Sequence, residues 1–219
     1  SPNPKVSLVR KGVALCRREG LDFVLAVGGG SVIDSAKAIA MGAATGRDPW
    51  EFASTGTRPD KTLPVATVLT LAASGSETSN SCVLTNEETK EKRGITSETN
   101  RPVISFLDPE NTFTVSKFQT GCGIVDIMMH TLERYLTPEG GESDLTDRIA
   151  EGLLIAVRDA GRRAIADPRD YEARATLMWA GSVSHNDYTG CGRKRLFPVH
   201  KLEHELSAFR DEIAHGAGL

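Results

Sequence analysis

Residues Leu21 to Met41 read LDFVLAVGGGSVIDSAKAIAM: an apolar run, three consecutive glycines, then small and helix-favouring residues. No other stretch limits the fold as tightly. Leu21 to Val27 is strand-length and, apart from Asp22, apolar, as expected of a buried strand. Gly28-Gly29-Gly30 permits a tight turn, and Ser31 to Met41 predicts a helix. Strand, glycine turn and helix in that order form the opening unit of a nucleotide-binding α/β layer. The glycines let a ligand's phosphates approach the backbone, and the helix start offers N–H donors to an anion. The spacing is not G-x-G-x-x-G, so a plain turn with Ser31 and Asp34 as a capping box is the competing reading.

The flanking chain extends the pattern. Asn3 to Gly20 predicts a helix with an apolar stripe of Val6, Val9, Val13 and Leu15 or Cys16, stopped by Gly20. A polar loop carrying Trp50 leads to a second apolar strand, Leu63 to Leu71, and then to the small residues AASGSETS. Ser81 to Ile95 predicts a hairpin turning at NEETKEK, and Val103 to Leu107 a further strand closed by Asp108-Pro109. After about Ser116 strand signals give way to helical periodicity over Gly123–Tyr135, Asp144–Ala166, Tyr171–Ser184 and Val199–Phe209. In the second of these, Leu145, Ile149, Leu153, Ala156 and Ala160 mark the expected buried face. An α/β domain over 1–118 is therefore expected to precede an all-helical one over 119–219.

Two regions beyond the glycine turn carry potential chemistry. Thr70 to Ser79, TLAASGSETS, follows a predicted strand at the end where open α/β sheets bind ligands, although a plain Ser/Gly loop explains it too. Asp126 and His130, in GCGIVDIMMHTLERY, stand one helical turn apart and present a carboxylate and an imidazole on one face. Alone they are also explained as a satisfied Asp–His pair. His200 and His204 repeat the i, i+4 spacing in FPVHKLEHELSAF, and His215 follows in AHGAGL, where glycines allow close backbone approach. Four of the chain's five histidines thus fall in apolar, helix-associated settings. One Asp with two or three His suits Zn²⁺ or Fe²⁺. No G-x-S-x-G or G-x-x-x-x-G-K-[ST] motif occurs, and Cys122 and Cys191 read as small buried cysteines.

Composition excludes several classes. With 26 Lys+Arg against 29 Asp+Glu and 39% apolar residues, the chain is an ordinary globular sequence, and a nucleic-acid partner is not expected. The longest apolar runs, Phe23 to Val27 and Val65 to Ala73, fall short of the roughly 20 residues a bilayer requires, so no membrane association is expected. The first residues are charged and carry no signal-peptide pattern, and Cys16, Cys82, Cys122 and Cys191 are widely spaced, as in a cytoplasmic protein with reduced thiols.

Taken together, LAVGGGSVIDSAKAIA, TLAASGSETSNSCVLTNEETKEKRGI, FLDPENTFTVS, GIVDIMMHTLERY, MWAGSVSHND and VHKLEHELSAF…AHGAGL resemble the iron-containing (group III) alcohol dehydrogenases, closest to their NAD(P)-dependent butanol dehydrogenase branch. The resemblance runs the length of the chain. It implies a Rossmann-like dinucleotide-binding α/β domain followed by an all-α metal-binding domain, a dehydroquinate synthase-like architecture, with the active site in the cleft between them. It further implies that the chain lacks the family's first strand and its C-terminal helices. By this resemblance Asp126, His130, His200 and His215 are the metal ligands, and His204 is the histidine near the nicotinamide. Gly29, Gly30 and Ser31 hold the pyrophosphate, and Asp34 lies near the nicotinamide end. Thr70, Leu71 and Ser74 line the cofactor cleft, while Lys92 and the backbone at Leu107 contact the ribose side.

The implied reaction is hydride transfer between NAD or NADP and a primary alcohol or aldehyde, with one divalent ion, Fe²⁺ or Zn²⁺, polarising the substrate oxygen. A homodimer is implied as well. The same architecture leaves open a dehydroquinate synthase-like lyase or a glycerol dehydrogenase-like enzyme, and a fragment that binds metal or nucleotide without turnover.

Overall fold

A computed structural model describes residues 3–137, 143–194 and 196–219. The chain folds as two compact units. The first comprises 1–69, 76–106 and 204–212, and the second 70–75, 107–203 and 213–219. Two short segments, 70–75 and 204–212, thus group with the unit other than that of their sequence neighbours.

In the first unit, helix α1 (Val6–Glu19) ends at Gly20, whose φ of +63° is the left-handed conformation that glycine adopts without strain. Val6, Val9 and Cys16 are its buried residues, and Leu15 faces solvent. Strand β1 (Val24–Gly28) leads into α2 (Gly30–Thr45), with Gly29 as the N-cap. The helix therefore begins one residue before Ser31, and Ser31 forms no cap. The capping box is absent for a physical reason: the Asp34 carboxylate is engaged elsewhere, accepting from Ser76 Oγ at 2.5 Å and from the Val83 N–H at 2.9 Å.

The polar segment after α2 contains a helix, α3 (Pro49–Thr55), where a loop is expected from the sequence. Its signals are local. Asp48 accepts from the Trp50 N–H, and Pro49 occupies the first turn, where its missing donor costs nothing.

Strand β2 (Val65–Leu69) pairs in parallel with β1, Val24 opposite Val65 and Gly28 opposite Leu69. Antiparallel strands β3 (Ser81–Asn86) and β4 (Glu91–Thr96) form the expected hairpin, and β5 (Ile104–Phe106) pairs in parallel with β2. The parallel sheet has the order β1-β2-β5. Val6, Val9, Ala38, Met41, Phe52, Cys82, Leu84 and Ile95 close the core over α1, α2, α3 and the hairpin. The register places Leu25 and Val27 of β1 on one face with Ile104 and Phe106 of β5, and all four are exposed. The central strand β2 is thus buried on both faces, whereas β1 and β5 expose these apolar side chains where the sequence predicts a buried strand.

The second unit is helical. Helix α4 (Lys117–Tyr135) is capped by Ser116, which accepts from the Gln119 N–H at 3.2 Å. It begins six residues before the predicted Gly123 because this cap lies upstream of the apolar pattern. Helix α5 (Asp144–Ala166) matches its predicted bounds, whereas its buried face is displaced: Thr146, Ala150, Leu153, Val157, Ala160 and Ala164 point inward, and Leu145 and Ala156 outward. Two neighbouring stripes satisfied the same periodicity, and packing against α4 and α6 (Tyr171–His185) selected one. Helices α7 (Pro198–Phe209) and α8 (His215–Gly218) end the chain. All four cysteines are free thiols; Cys16, Cys82 and Cys122 are buried, and Cys191 is exposed rather than buried. Among the described residues no helix is long and apolar enough to cross a membrane.

Candidate metal centre

Four donors meet in the second unit. Asp126 and His130 project from one face of α4, both buried, with His130 Nδ1 2.9 Å from the Asp126 carbonyl and 3.0 Å from Asp126 Oδ1. Helix α7 brings His200 Nε2 to 3.5 Å from Asp126 Oδ1, and α8 brings His215 Nε2 to 3.7 Å from the same atom. The donor atoms of Asp126, His130 and His200 all lie within 4.8 Å of one another.

This donor set fits a divalent ion. Ligands bonded at about 2.1 Å around a tetrahedral ion stand roughly 3.4 Å apart, close to the 3.5 and 3.7 Å separations seen here. Asp126 Oδ1 and His200 Nε2 are buried without a hydrogen-bond partner, a costly state for polar atoms that a cation between them removes.

The electrostatics agree. Burial pushes the Asp126 carboxyl up, but the charges of His130 and His215 outweigh it and hold the group well below the usual carboxylate range. Burial lowers His130 to about 4. It also works to lower His200, whose contacts with the Asp126 and Glu133 carboxylates prevail and raise it to about 9. The ionised Asp126 and neutral His130 are in the protonation states metal ligation requires, whereas His200 holds a proton that an incoming ion displaces.

The approach of α8 depends on a glycine. A Cβ at Gly216 would lie 2.0 Å from the Cys122 carbonyl oxygen and 2.5 Å from its carbon, both backbone atoms of α4 that cannot move aside cheaply. Gly216→Ala is therefore expected to lift His215 away and weaken divalent-metal binding by roughly tenfold or more, the scale for a ligand that loses its support. A competitive Co²⁺ titration checks this, and an unchanged affinity would show that α8 can shift without moving His215.

Sequence reasoning missed several groups around these donors. Glu133 on α4 contacts His200 Nδ1 and accepts from the Val199 N–H, and Glu203 on α7 contacts His215 Nδ1. Their spacing was visible: Glu133 is three residues beyond His130, and Glu203 three beyond His200. The fifth histidine, His185, ends α6 and stacks edge-on against His130 with ring centroids 4.2 Å apart. Burial, with the charges of His130 and Arg134, holds it well below the usual histidine range. Arg134 is 1% exposed, donating to the His130 and Ser184 carbonyls at 2.7 and 2.8 Å and to His185 Nδ1 at 3.0 Å. Its guanidinium also lies over the Phe197 ring, 4.6 Å from the centroid.

The remaining predicted positions are distributed as follows. Gly29, Gly30 and Ser31 start α2, where Val32 and Ile33 donate the first helical bonds back to the Gly29 carbonyl. Thr70, Leu71 and Ser74 directly follow β2, Leu107 directly follows β5, and all four are half-buried. Lys92 lies on β4 and donates to Ser207 Oγ at 2.8 Å. His204 is half-buried on α7, in the segment that groups with the first unit.

Comparison with known proteins gives a consistent result. The family model described as iron-containing alcohol dehydrogenase matches residues 1–109, and that of the C-terminal part of the Fe-containing alcohol dehydrogenase family matches 120–219. NADH-dependent butanol dehydrogenase A of Clostridium acetobutylicum is 45% identical over 218 residues, 100% of this chain and 56% of the relative. The NADPH-dependent aldehyde reductase YqhD of Escherichia coli is 38% identical over 210 residues, 94% of this chain and 54% of the relative. Among solved structures, that of NADH-dependent butanol dehydrogenase A from Thermotoga maritima superposes with a TM-score of 0.95 at 42% identity, covering 100% of this chain and 54% of its own. The chain therefore spans about half the length of the relatives it matches.

Proposed function

The chain belongs to the iron-containing alcohol dehydrogenase family, and on that premise we propose that it serves metal-dependent hydride transfer between NAD(H) or NADP(H) and a primary alcohol or aldehyde. The observation that carries this reading is the convergence of Asp126, His130, His200 and His215, with Oδ1 to Nε2 separations of 3.5 and 3.7 Å. These four residues would hold one Fe²⁺ or Zn²⁺, since one carboxylate and three imidazoles accept either. When bound, the ion supplies Lewis acidity and the nicotinamide the hydride chemistry.

The protein's part is position and electrostatics. Gly29, Gly30 and Ser31 present the N-terminus of α2 to the pyrophosphate, where orphan N–H groups and the helix dipole favour an anion. Asp34 stands near the nicotinamide end. Thr70, Leu71 and Ser74 line the cofactor cleft, and Lys92 and the Leu107 backbone contact the ribose side. His204 relays the proton released from the alcohol. The metal ligands are expected in the helical domain over 119–219 and the nucleotide contacts in the α/β domain over 1–118. The protein is proposed to act in the cytoplasm as a homodimer.

The test is a scan of short aldehydes and alcohols, with a sugar-acid phosphate as contrast, by NAD(P)H absorbance before and after chelation. The expected result is turnover of the aldehydes that chelation abolishes and Fe²⁺ or Zn²⁺ restores. Turnover indifferent to chelation, or metal and nucleotide binding without turnover, would overturn the catalytic reading.

A further inference from the structure

Two buried carboxylates stand behind two of the metal-centre histidines, on the side away from Asp126. Glu133 Oε2 meets His200 Nδ1 while His200 Nε2 is the nitrogen 3.5 Å from Asp126 Oδ1. Glu203 Oε2 meets His215 Nδ1 while His215 Nε2 is the nitrogen 3.7 Å from Asp126 Oδ1. In both rings one nitrogen therefore faces the donor cluster and the other faces a carboxylate. Both carboxylates are buried, Glu133 at 8% and Glu203 at 2% exposed. Glu133 is itself fixed, because its second oxygen accepts from the Val199 N–H at the start of α7.

We propose that Glu133 and Glu203 are positioning residues for the metal centre, each holding one histidine with its Nδ1 proton toward the carboxylate and its Nε2 lone pair toward the ion. This rests on the reading of Asp126, His130, His200 and His215 as the ligands. A neutral imidazole has one N–H and one lone pair, so an acceptor at Nδ1 decides which nitrogen can ligate. The carboxylate also raises the basicity of the ligating nitrogen and restricts ring rotation, lowering the ordering cost of binding. His130 differs: its Nδ1 lies against the Asp126 backbone carbonyl, within its own helix. The carboxylates thus serve the two histidines that come from outside α4. Glu133 has a further effect, because the same side chain ties the start of α7 to α4 and sets where His200 enters.

The experiment is a Co²⁺ titration of the full chain against a competing chelator, with the visible d–d spectrum recorded at saturation. Glu133→Ala and Glu203→Ala are expected to weaken Co²⁺ binding by about 10- to 100-fold and to shift the d–d bands. Glu133→Gln, which keeps an acceptor oxygen and loses the charge, is expected to fall between Glu133→Ala and the parent. It also serves as the test variant if Glu133→Ala does not fold by circular dichroism. Asp126→Asn controls for the ligand set. If the parent binds no Co²⁺, or Asp126→Asn binds it as the parent does, the ligand reading fails and the positioning roles fail with it. If Asp126→Asn loses Co²⁺ while the Glu133 and Glu203 variants keep parental affinity and spectrum, only the positioning roles are overturned.

Discussion

His200→Ala is expected to weaken divalent-metal binding by at least about 100-fold, beyond the 10- to 100-fold that loss of an outer hydrogen-bond partner costs. The proposed metal-dependent turnover should fall with it. The reason is where His200 stands: its ring faces Asp126 on one side and Glu133 on the other, and it is 6% exposed. Without the imidazole only Asp126, His130 and His215 remain of the four donors, and a solvent molecule must take the place of a buried imidazole. Metal content after gel filtration and a competitive Co²⁺ titration give the measurement, with circular dichroism to establish that the variant is folded. His215→Ala, at a quarter-exposed position, gives an independent comparison at lower folding risk. Parental affinity in both variants would remove the metal centre as assigned.

Lys37→Met is expected to destabilise the first unit by about 3–5 kcal/mol, because three backbone carbonyls lose their donor and each buried acceptor left unpaired costs roughly 1–3 kcal/mol. Lys37 is 1% exposed, and its ammonium donates to the carbonyls of Ser76, Ser79 and Ser81 at 2.6, 3.0 and 2.8 Å and reaches Ser79 Oγ at 3.3 Å. Burial lowers its pKa and Asp34 opposes the fall; burial raises Asp34 in turn, opposed first by Lys37 and then by the bonds from Ser76 and Val83. Methionine matches the length of the lysine stem, so the loss is that of charge and donors rather than volume. The double variant Asp34→Leu/Lys37→Met should recover part of the loss, because no uncompensated carboxylate remains. Urea denaturation of the three proteins measures both effects. A loss below about 1 kcal/mol, the net worth of one ordinary hydrogen bond, would show that residues 76–81 hold their conformation without the ammonium.

These residues mark how far the sequence could be read. The strand, glycine turn and helix of residues 24–45, the hairpin over 81–96 and the four long helices were legible because each follows from a local period or turn signal. Helix α3 was missed although Asp48 and Pro49 are ordinary start signals, since its seven residues are too short to show a period. The stripe on α5 was misplaced because Ala, Leu and Val recur on two adjacent faces, and only contact with α4 and α6 distinguishes them. Lys37 gave no signal: within one helix a lysine among alanines looks like a surface residue, and its partners lie some forty positions away.

The sequence by itself determined the order of elements, the apolar strand entering the glycine turn, and the placing of Asp126 and His130 one turn apart on a single helix. Those are consequences of the 2.0 and 3.6 residue periods, which each segment obeys independently. The tertiary structure alone decided that His200 and His215 come to Asp126, with Glu133 and Glu203 behind them, and that Lys37 is buried against the 76–81 backbone. Such facts depend on how closely two elements approach, and here that distance is set by contacts such as Gly216 against the Cys122 carbonyl. A residue's charge is written in its name, but its partner is fixed only when burial removes the water that would otherwise serve.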